Sequence, residues 1–181
     1  MGQPKALLPY AGSTFLEHIV EVVRAGGASP VTIILGHEPD RILRNVQLGD
    51  AHVLHNQNYK AGQLSSLQVG LRALETTDVA GTLMCLVDHP VVSVELVRAL
   101  IRAFRETGKP IVIPVHGERR GHPILLGRTL FQELLGAPFE LGARTVIRRH
   151  VADTFLLITD EPGILTDVDT PEEYRGLRGV D

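Results

Sequence analysis

Cysteine is nearly missing from this chain: Cys85 stands alone among 181 residues. A single thiol rules out an internal disulfide and fits a reducing compartment, so a cytoplasmic protein is expected. An excess of charge of one sign is missing too. Eighteen Lys and Arg against 21 Asp and Glu leave a net charge of -3, which gives no bulk attraction to nucleic acid or to an anionic membrane. No apolar run approaches the ~20 residues that cross a bilayer, and the N-terminus lacks the charged and apolar regions of a signal peptide. There is no Gly-x-Ser-x-Gly nucleophile elbow, no complete Walker loop, and no Cys/His group with zinc-ligand spacing. The eight histidines are dispersed, and no internal repeat, low-complexity tract or linker divides the chain.

What is present is the composition of an ordinary globular domain, 44% hydrophobic and 22% charged, long enough to bury one substantial core. Residues 1–181 are expected to form a single domain. Phe15, Leu16, Ile19, Val20 and Val23 recur at helical spacing between a Thr14/Glu17 capping box and Gly26-Gly27. Strands are expected at 31–35, more weakly at 51–55, and most strongly at 82–87, where the apolar run stops at Asp88-His89-Pro90. Further strands read at 111–115, 123–126 and 155–158. Helices read from Ser65 or Ser66, from Ser93 to Gly108, at 130–135, at 144–150, and after Thr170. This alternation predicts an α/β layer architecture with a largely parallel sheet covered on both faces.

Several residues in this frame can carry chemistry. Asp88 falls at the carboxyl end of a central strand, the edge where open parallel sheets bind ligands. A carboxylate there suits a divalent cation, or a turn hydrogen bond to its own backbone. Asp167-Val168-Asp169 puts two carboxylates on one side of an extended segment. A helix follows, begun by Thr170, Pro171 and Glu173. Joined with Asp88, these acids suggest Mg²⁺, which takes one or two carboxylates and completes its shell with water and phosphate. Gly62-Gln63-Leu64-Ser65-Ser66 is a glycine turn leading into a helix, where N–H groups can meet a base, ribose or phosphate, although an N-cap serine needs no ligand. Lys5, after Gly2-Gln3-Pro4, has the look of the tail of a phosphate-cradling segment. Arg119, Arg120 and His122 form a small positive patch between two strands. Arg144 puts a cation at a helix start, where the dipole disfavours it unless an anion binds.

Taken in order, Met1-Gly2-Gln3-Pro4-Lys5, Gly62 to Ser66, Leu86-Val87-Asp88-His89-Pro90, Arg120-Gly121-His122-Pro123, Gly142-Ala143-Arg144 and Asp167-Val168-Asp169-Thr170-Pro171 span nearly the whole chain. The set resembles the MobA-like nucleotidyltransferases, most closely the molybdenum-cofactor cytidylyltransferases. That resemblance implies a three-layer glycosyltransferase-A-like nucleotidyltransferase fold with a mostly parallel mixed sheet. It also implies Mg²⁺-dependent transfer of CMP from CTP to a molybdopterin-type phosphate, with release of pyrophosphate, and suggests a molybdenum hydroxylase as a partner. By analogy, Lys5 and Asp88 are the catalytic pair, with Lys5 neutralising triphosphate charge. Gly62, Ser65 and Ser66 contact the nucleoside; Asp88 and Asp169, with Asp167, hold Mg²⁺; and Arg119, Arg120, His122 and Arg144 lie towards the acceptor. No Ser–His or Cys–His pair is required, because the acceptor phosphate itself attacks and the site supplies alignment and charge.

Proteins of that family begin with a strand and a Leu-Ala-Ala-Gly-x-Ser-x-Arg-like loop before the Met-Gly-x-Pro-Lys element. The strand lies inside the family's sheet. Without it, two neighbours lose ladder hydrogen bonds and the core opens, at about 1–3 kcal/mol for each buried group left unpaired. The expectation is that Met1 is an internal methionine of a longer protein, which the coding sequence upstream would reveal. Because the family's base-reading loop is not in this sequence, guanylyl transfer from GTP, or nucleotidyl transfer to another phosphorylated acceptor, stands beside the cytidylyl reading. A non-catalytic accessory that holds molybdenum cofactor is the alternative from another class. An unrelated Rossmann-like binding domain would show a dinucleotide fingerprint after its first strand, and none is readable.

Overall fold

The computed structural model describes residues 2–178. The capping box forms as its spacing predicts: Thr14 Oγ1 accepts from the Glu17 N–H at 3.2 Å, and Glu17 Oε2 accepts from the Thr14 N–H at 3.0 Å. It opens α1 (Phe15–Ala25), which follows a hairpin of two short strands, β1 (Pro9–Tyr10) and β2 (Ser13–Thr14), that the sequence did not announce. Strand β3 (Thr32–Leu35), the short helix α2 (Pro39–Leu43) and strand β4 (His52–His55) come next, and β3 pairs with β4 in parallel. Then follow α3 (Gln63–Leu74), β5 (Gly81–Met84), α4 (Val94–Thr107), β6 (Ile111–His116), β7 (Arg119–Arg120) and β8 (Ile124–Gly127). The chain continues through α5 (Phe131–Gly136), α6 (Gly142–Arg149), β9 (Thr154–Ile158) and α7 (Pro171–Arg178).

The larger sheet is mixed. Strand β8 lies antiparallel between β5 and β6, so those two run in one direction, and β9 joins β6 in parallel; β7 closes a small antiparallel hairpin on β6. The 82–87 run is shorter as a strand than its composition suggests. Its ladder stops at the Met84–Ile124 pair because the partner chain continues into Pro123, which has no N–H to donate.

Side-chain alternation separates the two faces of this sheet into two cores. Ile111 and Ile113 of β6, with Ile124 and Leu126 of β8, meet Leu64, Leu71 and Leu74 of α3 together with α5 and α6. Val112 and Leu125, one residue out of step, meet Leu96, Val97 and Leu100 of α4 and Ile19 and Val23 of α1. The result is three layers, helix–sheet–helix. No helix among the described residues is long and apolar enough to cross a membrane.

One discontinuity runs through the middle layer. Among the described residues no strand pairs with the second edge of β3 or of β5. A cavity of about 910 Å³ lies there, walled by Leu16 and Val20 on one side, Leu67 and Leu71 on another, and by Ile34 and Leu83 of the two strands. The carbonyls of Val31 and Leu35 accept from β4 and its continuation, so the alternate residues Thr32 and Ile34 turn their backbone groups towards the gap. On β5, Ala80 accepts from Arg128 of the β8 side, which turns Gly81 and Leu83 the same way. Cys85 also lines the cavity, and desolvation pushes its thiol up to about 12, so it is inert at neutral pH.

Candidate active site

The acidic stretches read separately in the sequence meet at one end of this cavity, beyond the carboxyl end of β5. The Val168 N–H donates to the Asp88 carbonyl oxygen at 2.9 Å. Val168 itself is fully buried with Leu8 and Phe15, so its neighbours Asp167 and Asp169 are turned to the opposite side of the extended segment. Asp169 leads directly into α7, where Glu173 accepts from the backbone N–H groups of Asp169 and Thr170 at 2.8 and 2.7 Å. The Glu173 N–H in turn reaches Thr170 Oγ1 at 3.2 Å, completing the expected capping box.

Lys5 is delivered to the same place from the other end of the chain. It begins a single helical turn, Lys5–Leu7, held by buried Ala6 on the α1–β3 core and by buried Leu8 beside Val168. Its ammonium lies 3.5 Å from Asp88 Oδ2 and makes a shorter ion pair with Asp169 Oδ1. Burial works against the lysine's charge, but hydrogen bonding and attraction from Asp169 and Asp88 outweigh it and raise its pKa above 10.5. Lys5 is therefore a fixed cation. The same ion pair holds Asp169 below the ordinary carboxylate range. Asp167 goes the other way: desolvation, then repulsion from Asp88 and Asp169, raises its pKa above 3.8.

His89 was not singled out in the sequence as a ligand. One of its ring nitrogens and one carboxylate oxygen each from Asp88 and Asp167 lie within 4.8 Å of one another. The dispersal of the histidines concealed this; adjacency to Asp88 in the Asp88-His89-Pro90 turn was the available signal. His122 lies beside it, with tilted rings whose centroids are 4.9 Å apart. Desolvation, then repulsion from His89, lowers the His122 pKa to about 4 against the opposing pull of Asp88. Asp88, His89 and Asp167 thus form a donor set of carboxylates and imidazole, in which Lys5 reaches Asp88 at 3.5 Å and makes no ion pair with Asp167 among the described residues. These residues fit a divalent ion. Asp169 is the carboxylate that Lys5 engages more closely.

The remaining expected residues divide by position. Gly62, with φ 99°, is the bend before α3, and no side chain caps that helix; its carbonyl takes the Ser65 N–H at 3.1 Å, which leaves the N–H groups of Gln63 and Leu64 for a ligand. Ser66 lines the cavity together with Lys5 and Asp88. Ser65 does not: its buried hydroxyl accepts from Asn56 Nδ2 at 2.8 Å and donates to the Gly62 carbonyl at 2.7 Å, bracing the turn from behind. Arg119 and Arg120 stand exposed on β7, and Arg144 is in the first turn of α6, which packs on α3 and α5. No hydrogen bond or ion pair among the described residues links these three arginines to Lys5 or to the three aspartates.

The family profile of the MobA-like NTP transferase domain matches residues 1–154. A nicotine blue oxidoreductase of Paenarthrobacter nicotinovorans is 30% identical, over 96% of this chain and 88% of that protein. The molybdenum cofactor cytidylyltransferase of Escherichia coli K12 is 23% identical over 96% and 86%. A probable molybdenum cofactor guanylyltransferase of Mycobacterium avium is 28% identical over 98% and 88%. In structure, a protein of Mycobacterium tuberculosis H37Rv superposes with a TM-score of 0.82 at 28% identity, covering 98% of this chain and 90% of that one. A manganese complex from the same organism gives 0.74 at 26% identity, over 96% and 90%.

Proposed function

The chain belongs to the MobA-like NTP transferase family, and from that premise we propose that it transfers CMP from CTP to the phosphate of a molybdopterin-type acceptor. The observation that carries this reading is the convergence of Lys5, Asp88, Asp167 and Asp169, from three separate stretches, at the mouth of one cavity. An acceptor phosphate oxygen attacks the α-phosphorus of the nucleotide, a new phosphoanhydride forms, and the bond to the β-phosphate breaks to release pyrophosphate. Lys5, kept charged by its carboxylate partners, binds and orients the triphosphate. The uncapped first turn of α3 offers its N–H groups, and Ser66 its hydroxyl, to the nucleoside end. Asp88 and Asp167, with His89 or Asp169, would hold a divalent ion, Mg²⁺ or Mn²⁺, which when bound stabilises the charge on the triphosphate. His122, neutral and beside His89, faces the acceptor side, and Arg119, Arg120 and Arg144 meet the acceptor's further charge. A molybdenum hydroxylase is the expected recipient of the product. We read residues 1–181 as one domain whose sheet takes a further strand in the gap between β3 and β5.

The deciding measurement is pyrophosphate release from CTP and from GTP with molybdopterin and Mg²⁺ or Mn²⁺. Release is expected with CTP, and Asp88→Asn is expected to slow it by about 10²-fold or more. Faster turnover of GTP would move the assignment to guanylyl transfer, a name also borne by relatives. Molybdopterin binding with no metal-dependent nucleotide affinity would replace catalysis with an accessory, cofactor-holding role. A relative named for a redox reaction makes turnover, rather than family membership, the arbiter.

A further inference from the structure

The side chains of His89 and His122 each bury a ring nitrogen, Nδ1, with no hydrogen-bond partner among the described residues. Buried polar atoms are nearly always satisfied, so an orphaned pair at one place asks for a chemical reason. The two rings are tilted by 52° at 4.9 Å, close enough that a full proton on both would be repulsive. A neutral imidazole offers one N–H and one lone pair, which makes it a potential metal ligand as well as a donor.

Backbone geometry holds His89 where such a lone pair can be used. Its N–H donates to the Leu86 carbonyl at 3.1 Å, closing the turn after β5, while the preceding Asp88 carbonyl is taken by Val168. The turn and the acidic segment are thereby fastened to each other, and one ring nitrogen and two carboxylate oxygens come within 4.8 Å. Ligands on opposite sides of an ion at about 2.1 Å are separated by about 4.2 Å, so small side-chain rotations close the set around a single ion.

We infer that His89 is an inner-sphere nitrogen ligand of the divalent ion held by Asp88 and Asp167, which tilts this site away from Mg²⁺ and towards first-row transition ions. The inference rests on the reading of Asp88 and Asp167 as metal ligands and goes beyond it by changing the metal's identity. Mg²⁺ favours oxygen donors and keeps its water; imidazole favours Co²⁺ and Zn²⁺, and raises Mn²⁺ relative to Mg²⁺. His122 packs against the liganding ring, tilted by 52° with centroids 4.9 Å apart, and so restricts its rotation.

Mn²⁺ added to the full chain in the absence of nucleotide provides the test, read by pulsed EPR for coupling of the electron spin to a ligand nitrogen. The expected result is a ¹⁴N coupling that becomes a ¹⁵N coupling in protein labelled with ¹⁵N-histidine, a comparison that needs no mutation. His89→Gln is expected to abolish the coupling and to weaken Mn²⁺ by about tenfold, with Mg²⁺ weakened less. Mn²⁺ bound without nitrogen coupling would overturn the inference and leave the carboxylate site standing. Coupling that survives in His89→Gln but is lost in His122→Gln would overturn it as well. Absence of Mn²⁺ binding, in wild type as in Asp88→Asn, would bring down the underlying metal reading with it.

Discussion

Val168 and Asp88 are joined backbone to backbone, N–H to carbonyl at 2.9 Å, and the acidic centre depends on that bond more than on any contact between its side chains. Three carboxylates brought to one place repel one another, and Lys5, with the neighbouring His89, supplies the opposing attraction. The arrangement persists because Val168 is driven into an apolar site with Leu8 and Phe15, and the alternation of an extended chain then presents Asp167 and Asp169 together.

Val168→Ala should therefore act on both stability and function. Removing two buried methyl groups and leaving a small void costs about 2 kcal/mol, measurable in urea unfolding. Metal affinity should fall as well, because the acidic segment is no longer seated. Unchanged metal affinity in a protein destabilised by that amount would show that the Asp88–Val168 bond alone fixes the geometry.

Asp167→Asn should have effects of opposite sign. The folded-state pKa of Asp167 lies above its unfolded value, so its contribution to stability is present below pH 3.8 and is lost as the pH rises through the raised folded value. At pH 7 the ionised group is a burden on the fold. Asn should raise Tm by about 1–2 °C at neutral pH, a small effect because the side chain is exposed, and should flatten the fall in stability as the pH rises above 3.8. It should also weaken divalent-ion binding. A lower Tm at pH 7 would mean that the carboxylate is held by attractions other than those described.

The sequence made most elements legible because their local signals agree with the tertiary result. Thr14 and Glu17 mark a helix start that packing then uses, and the β-branched 31–35 run becomes β3. The hairpin of Pro9–Tyr10 and Ser13–Thr14 was not legible, since two-residue strands have no periodicity to detect. At the site, Lys5, Asp88, Asp167 and Asp169 were readable from their places at element ends. His89 was not singled out because its approach to Asp88 and Asp167 is made by folding, not by spacing along the chain. Ser65 and Ser66 could not be told apart, because which hydroxyl faces the cavity depends on how Asn56 folds back over the turn.

That pair gives a clean comparison. Ser65 is buried and spends its hydroxyl on Asn56, Asn58 and Gly62, so Ser65→Ala should cost about 1–2 kcal/mol of stability and leave nucleotide affinity nearly unchanged. Ser66 Oγ accepts from Asn56 at 2.9 Å, and its own proton can serve a ligand at the cavity wall. Ser66→Ala should lower CTP affinity by about threefold to tenfold with little change in Tm. Calorimetric titration and thermal unfolding of the two variants check both halves, and reversed outcomes would transfer the ligand contact to Ser65.

The gap between β3 and β5 makes a further prediction about local stability. Backbone groups of Thr32, Ile34, Gly81 and Leu83 face a cavity rather than a partner strand, whereas Ile113 lies in the middle of the β6–β9 ladder. Native-state hydrogen exchange should find the four edge amides faster than Ile113 by about a hundredfold or more. A version of the chain lengthened upstream by one apolar, β-branched strand should slow those same amides and raise Tm, since each newly paired buried group recovers about 1 kcal/mol or more. If the four amides are already as protected as Ile113 in the 181-residue chain, the cavity is closed in solution and the sheet needs no further strand. If the added strand leaves their exchange unchanged, the gap between β3 and β5 is not where it docks.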